Sequence, residues 1–190
     1  LRALSDGARN FLMVGRLAPN KAYLDLIDAF SACARMLDEP ARLILVGKAD
    51  ARLSRYNEAV HERIRALRLE QHVCWINAAS EAQLKAAYLA SHAFLLLSQH
   101  EGFCVPLIES MALSVPVIAR ATTAIPETLG DAGILWQEAD PWLYAASASR
   151  SFSDQTLRAD LQERGRRRYA ENFSTQVLSR RFMEFLEPAL

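Results

Sequence analysis

The stretch Gln99–Met111, QHEGFCVPLIESM, follows the apolar run Ala93–Leu97 (AFLLL), short enough to be a strand buried on both faces. Glu101-Gly102 breaks the run, and Pro106 stands where a helix takes its first residue. Leu107, Ile108, Met111 and Ala112 then begin a helical stripe. A strand, a polar turn and a helix N-terminus this close together form a binding loop at the carboxyl edge of a parallel sheet. Backbone N–H groups and the positive end of the helix favour an anion there, phosphate above all. Glu101 in the turn and Glu109 on the helix flank that position. A carboxylate beside phosphate is repelled, so both are expected to accept hydrogen bonds from paired hydroxyls, as on a ribose or hexose. An anion between two diol acceptors fits a nucleotide-sugar. The spacing equally suits an ordinary turn, with a glutamate in a capping box and a solvated Glu101.

Working outward, Asn10–Gly15 (NFLMVG) reads as a first strand and Lys21–Leu37 as an amphipathic helix carrying Leu24, Ile27, Phe30 and Ala34 on its apolar face. Arg42–Val46 closed by Gly47, Val73–Ile76, Val115–Ala119 and Gly133–Trp136 read as further strands. Helices are expected around Asn57–Leu67, over Glu81–Leu89, and through most of the chain after Trp136, the last about Thr175–Leu186. Ala121–Pro126 reads as a threonine-rich loop. Strands and helices alternate, which predicts an α/β fold with a parallel sheet of about six strands covered by helices on both faces.

The chain has 190 residues, 51% of them apolar, enough for one domain with a sizeable core. Its 22 basic and 22 acidic residues balance, so no overall field recruits nucleic acid or an anionic membrane. No apolar run is long enough to span a bilayer. The opening LRALSDGARN lacks an initiator Met and the apolar core of a signal peptide, so a piece of a longer protein is expected. Cys33, Cys74 and Cys104 are odd in number and widely spaced, which predicts neither disulfides nor a zinc site, in a reducing compartment.

Arg16 follows the first strand and Lys21 opens the next helix, both toward the edge where the Glu101 loop ends. An Arg fork and a Lys point charge could neutralise a diphosphate without a metal; isolated surface charges are also commonly just solvated. There is no G-x-G-x-x-G after the first strand and no Walker-type loop. His100 is either a catalytic imidazole or a solvated loop histidine. Arg164–Arg168 (RGRRR) reads as a solvated helix face, with a partner domain or membrane phosphates as its other uses. Trp75, Trp136 and Trp142 read as core or edge packing.

The order GRL…NK, then LVG, then SxxEGFxxPxxExMAxxxPVIA, then PExxGDAG resembles the C-terminal half of family 4 glycosyltransferases. The likeness runs from about Phe11 to Trp136. It implies a retaining enzyme of the GT-B fold, whose two Rossmann-like domains face each other across a cleft. Residues 1–9 would then be a linker from an N-terminal domain outside the chain, residues 10–152 the nucleotide-sugar-binding domain, and residues 153–190 helices completing it. The resemblance implies that Arg16 and Lys21, with Gly15, meet the donor diphosphate, that Glu109 holds the ribose, and that Glu101 meets the donor sugar. Gly102 and the amides of Phe103, Cys104 and Val105 would lie against sugar and phosphate, and Ala79 near the base. Glu101, Arg16 and Lys21 would be the catalytic set, with no metal and no cofactor. The partners implied are a nucleotide diphosphate sugar and a glycan or lipid-linked acceptor held by the other domain. The setting implied is the cytoplasm, with peripheral contact at the inner face of the membrane for a lipid-linked acceptor. The chain alone is expected to transfer no sugar. A nucleotide-sugar epimerase, a glycogen synthase and a non-catalytic nucleotide-sugar-binding module share enough of this pattern to stand as alternatives. Three positions depart from the family: Cys104, Ser114 and Asn77 stand where glycine is usual. Cys104 would crowd the sugar or point into the core, Ser114 makes a less permissive helix end, and Asn77 tolerates a left-handed backbone.

Overall fold

The computed structural model describes residue 4 and residues 6–186. Residues 1–3, 5 and 187–190, which belong to the expected linker and C-terminal extension, lie outside the described residues. Six strands form one sheet: β1 Arg9–Val14, β2 Ala41–Val46, β3 Val73–Ile76, β4 Ala93–Leu96, β5 Val117–Arg120 and β6 Gly133–Trp136. All pairs are parallel, in the order β3-β2-β1-β4-β5-β6.

The two-residue period of a strand sorts its side chains into two cores. Phe11 and Met13 of β1 point to one face with Leu43, Leu45 and Leu95, under α1 (Tyr23–Met36), α2 (Ser54–Ala66) and α6 (Pro141–Ser153). Leu12 points to the other with Ile44, Phe94 and Leu96, under α3 (Glu81–Leu89), α4 (Val105–Ala112) and α5 (Ile125–Leu129). The long α7 (Gln155–Asn172) packs on α4, and α8 (Thr175–Leu186) follows it. Alanines 29 and 32 of α1 and 145 and 148 of α6 are buried, which lets those two helices lie close.

This topology places the site. The chain leaves β1 toward one face and β4 toward the other, so a crevice opens between the loops that follow them. Across that edge the β1 and β2 loops meet backbone to backbone. A Cβ built on Gly47 would fall 1.9 Å from the Gly15 carbonyl oxygen, so only glycine fits. Trp75 backs the turn, donating from Nε1 to the Gly47 carbonyl at 3.0 Å and stacking on Tyr23.

Several expectations need correcting. Lys21 does not open a helix: Pro19–Lys21 form a 3-10 turn, Ala22 is left-handed at φ 48°, and α1 starts at Tyr23. β5 begins two residues later than expected, because Pro116 has no N–H and contributes only its carbonyl, to the Phe94 N–H. Ile125–Leu129 is a short helix where a loop was expected to run on to Pro126. The left-handed residue after β3 is Ala78, at φ 53°, and not Asn77. Trp136 packs as expected and donates to Ser147, but Trp142 is half exposed.

The basic run is no simple solvated face. Arg164 donates to the Asp131 carbonyl, and Arg168 donates to the Glu127 and Thr128 carbonyls, so the two satisfy acceptors in and just after α5. Gly165 lies against Met111, keeping α7 close to α4.

Candidate functional site

The loop after β4 is held from both sides. Gln99 N–H donates to the Asn20 carbonyl at 2.9 Å, and Asn20 Nδ2 donates to the His100 carbonyl. From the β5–α5 segment, Thr122 Oγ1 donates to the Ser98 carbonyl at 2.6 Å and Thr128 Oγ1 to the Phe103 carbonyl at 3.0 Å. Thr123 Oγ1 accepts from the Glu101 N–H and donates to the Glu101 carbonyl, both at 2.9 Å. Sequence reasoning passed over these threonines. The available signal was that β5 neighbours β4 in a parallel sheet, which sets their loops side by side.

Within this frame Glu101 is 7% exposed, so the solvated reading of it is wrong. Lys21 Nζ lies 2.7 and 2.8 Å from its two carboxylate oxygens. A charge this buried needs such a partner.

Cys104 precedes α4 in left-handed backbone, at φ 64° and ψ 67°. Its side chain is buried in the core with Leu107 and Met111, so it faces the core. Burial, then the Glu101 charge, push its thiol up to about 12. Cys104 is therefore a packed apolar group and not a reactive thiolate. Its neighbours Gly102, Phe103 and Val105 are exposed, which leaves that side of the loop open.

Glu109 is half-buried on α4, and Tyr88 Oη donates to its Oε2 at 2.7 Å. Tyr88 is itself 1% exposed, and burial, then the bond to Glu109, hold its phenol far above the usual range. Glu109 and Tyr88 line a hollow of about 420 Å³ with Leu84, Lys85 and Leu113. Arg16 is exposed and lines a different hollow, of about 330 Å³, with Lys48 and Asp50. The Arg52 guanidinium, assisted by Arg16, holds the Asp50 carboxyl down at about 2, so Asp50 stays ionised beside Arg16. Among the described residues no group of three or more His, Cys, Asp or Glu side chains is placed to hold a metal.

The family model described as glycosyl transferases group 1 matches residues 2–168. The chain belongs to the group 1 glycosyl transferases. It is 26% identical over 177 residues to the N-acetyl-alpha-D-glucosaminyl L-malate synthase of Bacillus anthracis, covering 92% of this chain and 44% of that protein. Its fold matches HepE of Anabaena, solved in complex with UDP and glucose, with a TM-score of 0.86 at 22% identity, over 98% of this chain and 50% of that one. The C-terminal domain of LpcC, a group 1 family protein of Francisella tularensis, matches with a TM-score of 0.75 at 19% identity, over 88% of this chain and 87% of that one. The sheet and its flanking helices are thus those of a Rossmann-like C-terminal domain of GT-B glycosyltransferases. The chain spans about half the length of the curated relative and of the HepE chain.

In this glycosyl transferase domain the structure brings some of the expected site residues together and leaves others apart. Lys21 and Glu101 are in direct contact, and Gly15 lies beside the aliphatic part of Lys21, where a Cβ would come 3.6 Å from it and 3.1 Å from Met13 Cε. Glu109 lies in its own hollow with Tyr88, which sequence spacing gave no reason to choose. Ala79 is half-buried against the core. Gly102 and Phe103 line a third hollow, of about 370 Å³, with Arg168 and Phe173. The His100 ring is exposed, and the residue contributes its carbonyl to the loop.

Proposed function

We propose that the chain is the donor-binding domain of a retaining family 4 glycosyltransferase, which moves a hexosyl group from a nucleotide diphosphate sugar to a glycan or lipid-linked acceptor. The observation that carries this reading is the Lys21–Glu101 pair at the switch point of the sheet, beside the exposed backbone that leads into α4. In the free chain each satisfies the other. With donor bound, Lys21 and Arg16 turn to the diphosphate, and Glu101 accepts from the sugar hydroxyls. Glu109, oriented by Tyr88, accepts from the ribose diol.

In the reaction the bond from the anomeric carbon to the terminal phosphate oxygen breaks, and one from the acceptor oxygen to that carbon forms on the same face. The acceptor proton leaves toward the diphosphate. Charge grows on the departing diphosphate, and Arg16, Lys21 and the N-terminal end of α4 stabilise it in place of a metal. The acceptor is held by a part of the protein outside this chain. Leu178, Phe182, Met183 and Phe185 of α8 are exposed and suit a face against that part. A lipid-linked acceptor would set the reaction at the inner face of the membrane; no described helix is long and apolar enough to cross one.

The two glutamates test the reading. Glu109→Gln is expected to weaken a nucleoside diphosphate and its sugar conjugate alike, by roughly 1.5–3 kcal/mol, the range for hydrogen bonds to charged groups. Glu101→Gln is expected to weaken the conjugate alone. Titration calorimetry of both variants separates the roles, and a Glu101→Gln chain that binds the conjugate normally rules out the hexose assignment.

A further inference from the structure

Thr123 stands in left-handed backbone, at φ 46°. For a β-branched residue that is a genuine outlier, and such conformations persist only where the surroundings over-determine them. A glycine would take the same backbone without strain, but it would bring no hydroxyl. What the hydroxyl does is specific. It accepts from the N–H of Glu101 and donates to the carbonyl of the same residue, across 22 positions of sequence. The N–H belongs to the peptide plane before Glu101 and the carbonyl to the plane after it. Holding both fixes the Glu101 backbone, and with it the direction in which the carboxylate leaves the chain.

Lys21 grips that carboxylate from its other end. On the donor-binding reading above, Lys21 is drawn to phosphate when the donor arrives, and the side-chain grip is lost. The main-chain grip is not. We infer that Thr123 is the positioning residue for Glu101, its hydroxyl holding both peptide planes around it so that the carboxylate stays aimed at the donor sugar. The inference rests on the hexose role of Glu101, and its test keeps the two apart.

Three substitutions separate hydroxyl from backbone. Thr123→Ser keeps the hydroxyl, Thr123→Val keeps the branch without it, and Thr123→Gly removes both while relieving the strain. Each is titrated with UDP and UDP-glucose, GDP and GDP-mannose, and ADP and ADP-glucose, beside Glu101→Gln. In Thr123→Gly the relieved strain and the two lost hydrogen bonds oppose each other, so it is expected to melt close to the wild-type temperature, to bind the diphosphate as the wild type does, and to bind the conjugate roughly tenfold more weakly. Thr123→Val should show the same selective loss, and Thr123→Ser should restore the conjugate. Amide hydrogen exchange at Glu101 should speed up in the Gly and Val variants and stay protected with Ser. A Thr123→Gly chain that melts early and loses both ligands equally would make the residue a structural support only and overturn the inference. So would normal conjugate binding by Thr123→Gly while Glu101→Gln fails, which leaves the role of Glu101 standing. If Glu101→Gln itself binds the conjugate normally, the reading of Glu101 falls, and the inference with it.

Discussion

Lys21 and Glu101 lie 2.7 Å apart with side chains 17% and 6% exposed, so removing either leaves the other's charge desolvated and alone. Breaking such a pair costs about 3–5 kcal/mol. Arg16 is exposed, and its loss should cost the fold under about 0.5 kcal/mol. Two cations expected from the sequence to act alike therefore separate in the folded chain. Lys21→Ala should lower the urea midpoint sharply, whereas Arg16→Ala should leave it in place and still weaken a nucleoside diphosphate by roughly 1.5–3 kcal/mol. Equal midpoints for the two variants would mean that the Lys21–Glu101 pair does not hold in solution. The sequence marked both residues as candidates, because Arg16 follows the first strand and Lys21 was expected to open the next helix, both toward the edge where the Glu101 loop ends. It carried no sign that Lys21 alone would also serve the fold, since the Lys21–Glu101 contact spans 80 positions. Cys104 makes the same point. Its residue type suits core and ligand equally, and only its burial with Leu107 and Met111 in the folded chain decides for the core.

At the scale of elements, the strands were the most legible part. β2, β3, β4 and β6 are short runs of β-branched, aromatic and leucine residues with turn residues close by, and each falls within a residue of its expected bounds. The helix starts and the loop conformations were harder to read, because left-handed backbone is carried here by residues that seldom adopt it. Ala22, Arg68, Ala78, Cys104, Ser114 and Thr123 all have positive φ. At Cys104 and Thr123 burial or hydrogen bonding accompanies the strain, and Ser114 Oγ accepts from Arg166. Ala78 is exposed, and its methyl group makes little use of the position. A left-handed L-residue costs about 1–2 kcal/mol, and glycine gives part of that back as unfolded-state entropy. Ala78→Gly should therefore stabilise the domain by about 0.5–1 kcal/mol. Urea unfolding measures it, and a lowered midpoint would mean that the β3–α3 loop turns elsewhere. The basic run was misread for a different reason. A helical pattern shows which residues share a face, but not that a short neighbouring helix ends against it with carbonyls to satisfy.

For the whole molecule, the strand order β3-β2-β1-β4-β5-β6 does what no single motif does. It sets the β1 loop with Arg16 and Lys21 beside the β4 loop with Glu101, and it sets the threonine segment after β5 next to that. Alternation in the sequence predicted a parallel sheet covered on both faces. The order within it was not legible there, since neighbouring strands with crossover helices leave several orders open. The balanced charge of 22 against 22 means that binding must come from local placement of cations and not from a field around the protein. The central claim is that this placement makes a nucleotide diphosphate sugar site. It is tested most directly by calorimetric titration of the chain with UDP, GDP and ADP, each beside its parent nucleoside. The account predicts that one diphosphate binds and that its nucleoside binds at least about 100-fold more weakly, the worth of two charge-assisted contacts. A nucleoside that binds as tightly as its diphosphate, or no heat with any of the three, would contradict it.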